Sequence, residues 1–175
     1  VQHRFSVDEG LTDIPRLGVQ LVLAPGFDRL AWYGRGPHET YPDRKAAGRI
    51  GLFKGTVAEQ YFPYIVPQEH GNKEDVRWFS LCNAAGCGLQ FQAEKTFGFS
   101  ASHMTAEDLT SAFHTHEIRE RKSVFVSLDA VQRGLGTASC GPDTLERYRI
   151  GPGTYTLAYT MIPLNGRQRP RRFGV

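Results

Sequence analysis

Apolar and polar residues alternate with a period of two along several short stretches of this chain. That is the pattern of strands with one buried and one wet face. Leu89, Phe91 and Ala93 alternate with Gln90, Gln92 and Glu94. Val124, Val126 and Leu128 alternate with Phe125, Ser127 and Asp129, and Tyr155, Leu157, Tyr159 and Met161 with Thr154, Thr156, Ala158 and Thr160. Further strands are predicted near 2–8, 17–24, 27–34, 74–82, 97–102 and 115–120. Thr105 to Phe113 instead predicts a short helix. Thr105 is its cap, Asp108 stands three residues on in the place usually taken by Glu, and Leu109 and Phe113 share a face. From Gly34 to Gly71 alternation is sparse, and Pro, Gly and Tyr are frequent. An irregular stretch of that length in a compact domain is usually functional or packs against a neighbour. The prediction is an all-β fold, a large antiparallel β-sandwich with one short helix near 105–113.

Composition narrows the class without choosing a function. The 175 residues suit one domain, and 40% hydrophobic with 22% charged residues is ordinary for a globular chain. The net charge of +3 is spread among mixed charges, and nucleic-acid binding would need a basic patch, so no nucleic-acid partner is expected. Four basic residues do cluster, Arg167, Arg169, Arg171 and Arg172, but residues 165–175 have little to pack and read as a tail after a domain over 1–164. No run approaches the roughly 20 apolar residues of a membrane span. The start, Val1-Gln2-His3-Arg4, carries neither a signal-peptide pattern nor an initiator Met, as in a piece cut from a longer polypeptide. Cys82, Cys87 and Cys140 are odd in number and without paired spacing, which predicts reduced thiols in a cytoplasmic protein.

Four segments carry candidate chemistry. Trp32 to Arg44 takes a strand into a glycine-flanked loop, where Arg35, Glu39, Asp43 and Arg44 offer two ion pairs. These either tie the loop, the favoured reading, or line a polar cleft with Arg35 and Glu39. Tyr61 to Trp78 sets Gln68, Glu69, His70 and Asn72 beside aromatic rings, a mixture suited to a sugar. There Glu69 or His70 could act as acid or base, or Glu69 and Arg77 could be buried partners fixing a loop. His114-Thr115-His116 would put two imidazoles on one strand face, but a metal needs three or four ligands and no carboxylate or cysteine is matched, so no metal is expected. Gly134 to Pro142 has early glycines without a following helix, which argues against a nucleotide loop, and Cys140 has no neighbouring base in sequence.

Taken together these segments resemble the C-terminal, small-chain domain of the multidomain bacterial β-galactosidases of glycoside hydrolase family 2. The likeness rests on Trp32-Tyr33-Gly34-Arg35-Gly36-Pro37 with Glu39 and Tyr41-Pro42-Asp43-Arg44. It continues with Pro67-Gln68-Glu69-His70-Gly71-Asn72, Asp75-Val76-Arg77-Trp78 and His114-Thr115-His116, and ends on Gly134-Leu135-Gly136 with Ser139-Cys140-Gly141-Pro142. It covers about Phe5 to Pro163. The resemblance implies a twisted supersandwich like that of galactose mutarotase, in a homo-oligomeric enzyme that hydrolyses terminal β-galactosides such as lactose. Its two catalytic glutamates, and its magnesium and sodium, would sit in a separate barrel. No catalytic residue and no cofactor are then expected in this chain. A loop of the domain would reach the mouth of the active site, where some members place a tryptophan. Ser139, Cys140 and Gly141 match that wall, with Cys140 at the tryptophan's place. The family domain has strands upstream of Phe5 that are missing here, which would leave a sheet edge open and the isolated chain less stable. Two rivals remain: a free-standing galactose-binding module built on Tyr61 to Asn72, and an aldose 1-epimerase using Glu69 with His70, or His114 or His116. Adjacent residues of an extended segment point apart, which makes Glu69 with His70 a poor pair.

Overall fold

The computed structural model describes residues 1–137 and 140–166. Eight antiparallel strands form one sheet: β1 (Gln2–Val7), β2 (Arg16–Leu23), β3 (Arg29–Gly36), β4 (Arg49–Thr56), β5 (Lys73–Cys82), β6 (Cys87–Ser102), β7 (Val124–Gln132) and β8 (Gly153–Asn165). One short helix, α1 (Ala106–Thr110), lies between β6 and β7. The fold is all-β and sandwich-like, as the alternation predicts.

The long strand β6 is where the sheet forks. One of its edges pairs with β5, which leads on to β3 and β4. On its other edge Cys87 to Ala93 pair with β8, and Gly98 to Ser102 pair with β7. The two limbs, β8 with β1 and β7 with β2, enclose a core centred on the fork. Phe79 stacks on Phe91 and Phe99 at centroid distances of 4.7 and 4.2 Å. Trp32, Leu81, Val126, Leu128 and Leu157 fill in around them. Rings packed in offset stacks add about 0.5–1.5 kcal/mol per pair beyond the area they bury.

Most predicted faces hold. Val124, Val126 and Leu128 are fully buried, as are Phe91 and Leu157. Gln90 was expected on a wet face and is buried, because its register neighbour Ser80 is buried too and the sheet is covered on both sides there. Met161, expected inside, is exposed.

Three predictions fail for identifiable reasons. The stretch from Gly34 to Gly71, read as irregular, contains β4, which pairs with β3 along its whole length. Its inner positions are Gly51, Phe53 and Gly55, while Ile50 and Leu52 face out, so the hydrophobic signal is inverted. The strand expected at 115–120 is instead a 3-10 turn, Thr115–Glu117, closed by Glu117 N–H to His114 O at 3.0 Å. Finally, α1 has the expected Thr105–Asp108 capping box, yet it ends at Thr110. Leu109 is therefore buried and Phe113 exposed, not two members of one face.

Candidate functional site

Glycine and a bulge bring the first two motifs together. Register shifts between Lys73 and Trp78 kink β5, and Asp75 there takes a φ of 54°, a left-handed conformation that Asp tolerates better than most residues. Gly34 lies opposite; a Cβ on it would fall 2.8 Å from the Val76 Cα, so only glycine allows the approach. Asp75 then receives Arg35 Nε at 2.5 Å and Lys45 Nζ at 2.9 Å. Arg35 also donates to the carbonyls of Gly48 and Lys45. The two cations hold the Asp75 carboxyl below its usual range against the opposing effect of burial. Arg35, expected to pair inside the Trp32–Arg44 loop, thus pairs out of it instead, with β5.

The remaining candidates close the same interlock. Glu39 accepts from Gly71 N–H at 2.7 Å and from the Tyr64 hydroxyl. Asn72, fully buried, donates to Thr40 O and Glu74 Oε1, both at 2.9 Å. Lys73, also buried, donates to Gly71 O at 3.1 Å and lies 5.3 Å from the Trp32 ring centroid. His70 is buried against Tyr61 with Nδ1 2.9 Å from Gln68 O. Gln68 itself is exposed. Glu69 and Arg77 are not partners. Arg77 donates to Asp75 O at 2.6 Å and lies over Tyr33, whereas Glu69 lies 3.3 Å from Arg16. Asn72 and Tyr64 of the expected sugar cluster, with Glu39, are thus engaged within the fold, whereas Gln68 and Phe62 are exposed.

Arg16, Asp129 and Gly18 form a cluster that sequence reading missed. Arg16 grips the buried Asp129 through Nε and Nη2 and reaches Glu69 with Nη1. Burial raises the Glu69 carboxyl while Arg16 opposes it. A bulge at Leu17/Gly18 makes room, since a Cβ on Gly18 would fall 2.3 Å from Asp129 Oδ1. The one available signal was an acidic residue, Asp129, on an otherwise hydrophobic strand. Alongside lies an open groove of about 260 Å³ lined by Pro42, Glu74, Gln132, Tyr148, Arg149 and Tyr155 among others. No histidine lines it, so it lacks the His–Glu pair that an aldose epimerase requires.

The described residues of the Gly134 to Pro142 segment are anchored at their base by side-chain hydrogen bonds. Asp43 accepts from Leu135 N–H at 3.1 Å and Gly136 N–H at 2.8 Å. Arg133 spans Asp13 at 2.7 Å and Asp143 at 2.9 Å, and donates to Thr144 Oγ1 at 2.6 Å. Both carboxyls are held below their ordinary values by this guanidinium. Thr137 closes the turn with Cys140 N–H and Pro142 O. Cys140 is an exposed free thiol at the tip, followed by the exposed Gly141. Ser139, and the tail from 167 to 175, lie outside the described residues.

Comparison of the sequence with known proteins points to one family. The family model described as β-galactosidase small chain matches residues 1–161. Over 166 residues the chain is 35% identical to the β-galactosidase of Priestia megaterium, covering 94% of this chain and 16% of that protein. It is 36% identical over 148 residues to the β-galactosidase of Arthrobacter sp., covering 82% and 15%. For the β-galactosidase of Kluyveromyces lactis the figures are 35% over 139 residues, 79% and 13%. The chain therefore spans about a sixth or less of the length of these relatives.

Proposed function

The chain belongs to the family of the β-galactosidase small chain, and on that premise we propose that it is an accessory domain of a β-galactosidase acting on terminal β-D-galactosides such as lactose. Its catalytic glutamates lie in the rest of the polypeptide, and the isolated chain is inactive. The match over residues 1–161, joined to a span of only 13–16% of each of these three relatives, carries this reading. The segment clamped by Asp43 and Arg133 forms one wall of the active-site mouth, to which Cys140 and Gly141 belong, together with Ser139 from outside the described residues. Where some members carry a tryptophan, Cys140 offers a smaller and softer surface.

The interlock of Arg35, Glu39, Asn72 and Asp75 is scaffold, not a sugar site. The other domains, and a second copy in a homo-oligomer, cover exposed apolar side chains such as Phe62, Ile65 and Val66. Magnesium and sodium belong to the remaining polypeptide. Both favour oxygen ligands, and the one close group of three His, Cys, Asp or Glu side chains among the described residues is rich in nitrogen. Three free thiols suit a reducing, cytoplasmic setting, and no helix among the described residues is long and apolar enough to cross a membrane.

An immunoblot of source cells with an antibody to this chain tests the reading. We expect a band several-fold above 19.6 kDa, and β-galactosidase activity that the antibody depletes. A band near 19.6 kDa without such activity would overturn it.

A further inference from the structure

We propose that the exposed turn after α1 binds a divalent transition metal of the zinc class through His114, His116 and Glu117. The observation is geometric. The 3-10 turn Thr115–Glu117 stacks the two imidazoles with centroids 5.5 Å apart and planes 20° apart. It also carries Glu117 Oε1 to 3.1 Å from His114 Nδ1. One ligand atom from each residue lies within 4.8 Å of the other two. The strand predicted from sequence would have paired the histidines and left the carboxylate elsewhere; the turn supplies the third ligand.

The carboxylate is held in place before any metal arrives. Glu117 Oε2 accepts from Phe113 N–H at 2.8 Å and His114 N–H at 3.3 Å, which leaves Oε1 facing the rings. Backbone donors that fix a ligating carboxylate are the outer shell that metal sites use. Two neutral imidazoles and one carboxylate suit zinc, nickel or copper, whereas calcium and magnesium favour oxygen. Tetrahedral bonds of about 2.0–2.1 Å set neighbouring donors roughly 3.3 Å apart. Side-chain rotation closes the remaining distance, since all three residues are exposed. Three protein ligands leave a fourth position open to water, or to a donor from another polypeptide.

The test uses the 175-residue chain without an affinity tag, stripped with chelator and titrated with Zn²⁺ by calorimetry and with Co²⁺ by visible absorption. We expect one equivalent bound, with a Co²⁺ spectrum free of thiolate charge-transfer bands. His114→Ala and His116→Ala should each weaken binding by roughly tenfold or more, the scale on which metal sites respond to loss of supporting groups. Glu117→Gln keeps an oxygen to accept from Phe113 N–H, so it removes the anionic ligand while the turn stays closed, and it should weaken binding as well. His103→Ala, at a histidine bonded to Ser123 O, should not. Circular dichroism confirms that each variant is folded. Absence of saturable binding, a thiolate band, or binding indifferent to His114 and His116 would overturn the site.

Discussion

Lys73 shows how one buried residue couples this fold to pH. Its ammonium has one hydrogen bond, to Gly71 O, and a ring beneath it. Burial lowers its value from 10.5 to about 8, with only partial compensation from Glu39. Relative to the unfolded chain, the native state therefore disfavours the ammonium. That contribution is complete above the unfolded value of 10.5 and is lost as pH falls through about 8. At pH 7 the separation corresponds to about 3 kcal/mol of cost. Lys73→Met removes the charge at similar volume. It should stabilise the chain by about 1–3 kcal/mol at pH 7, since the lost ring contact and hydrogen bond offset part of the gain. It should also flatten the rise in stability between pH 8 and 10. Urea unfolding at both values checks this. A variant weaker than wild type at both would show that the ring contact and the bond to Gly71 outweigh desolvation.

At the scale of elements, α1 stands on its cap, not on its length. Five residues cannot hold a helix by propagation alone. Thr105 and Asp108 satisfy each other's backbone, and Arg121 grips Asp108 through two bonds of 2.7 and 2.9 Å. The guanidinium and the cap hold the Asp108 carboxyl far below 3.8. Its contribution is fully present above that unfolded value and declines progressively as pH falls from there toward the much lower folded value. Asp108→Asn should thus be less stable than wild type at pH 7, by a margin that narrows at about pH 2; thermal melts at the two values decide. A difference undiminished in acid would assign the effect to packing. This cap was legible in the sequence because it is local. The core strands were legible because Val124, Val126 and Leu128 alternate with polar neighbours. Elements that depend on partners were not. β4 hides behind two inward glycines, Gly51 beside the Phe53 ring and Gly55 against Glu59 and Gln60. Arg16 finds Asp129 and Glu69 across 113 and 53 residues, a separation that spacing alone does not reveal. The turn at 115–117 forms because Glu117 caps backbone that a strand would have paired elsewhere.

For the whole molecule, the central relation is between the interlock and the loop. The first motif carries Asp43 just before its end, and that carboxylate accepts from two backbone N–H groups, of Leu135 and Gly136, about 90 residues away in sequence. The Trp32–Arg44 loop is in turn fixed through Arg35 and Glu39 to β5 and the segment before it. The sheet thus holds the base of the loop through a chain of direct contacts, as the proposed wall of an active-site mouth requires. Asp43→Ala in the polypeptide that carries this chain leaves both N–H groups without their carboxylate and frees the loop base. Misplacing a substrate-contacting wall by about 1 Å can cost on the order of 100-fold, and a loosened loop samples both positions, so a loss of roughly tenfold in kcat/KM is expected. The loss should fall mainly on substrate binding, with the thermal midpoint little changed, because Arg133 still ties the loop to Asp13 and Asp143. Steady-state kinetics on a chromogenic β-galactoside, measured beside a melting curve, separate the outcomes. Reduced kcat/KM at an unchanged midpoint places this loop at the mouth, whereas unchanged kinetics would remove it from the site and leave the domain a purely structural part of its enzyme.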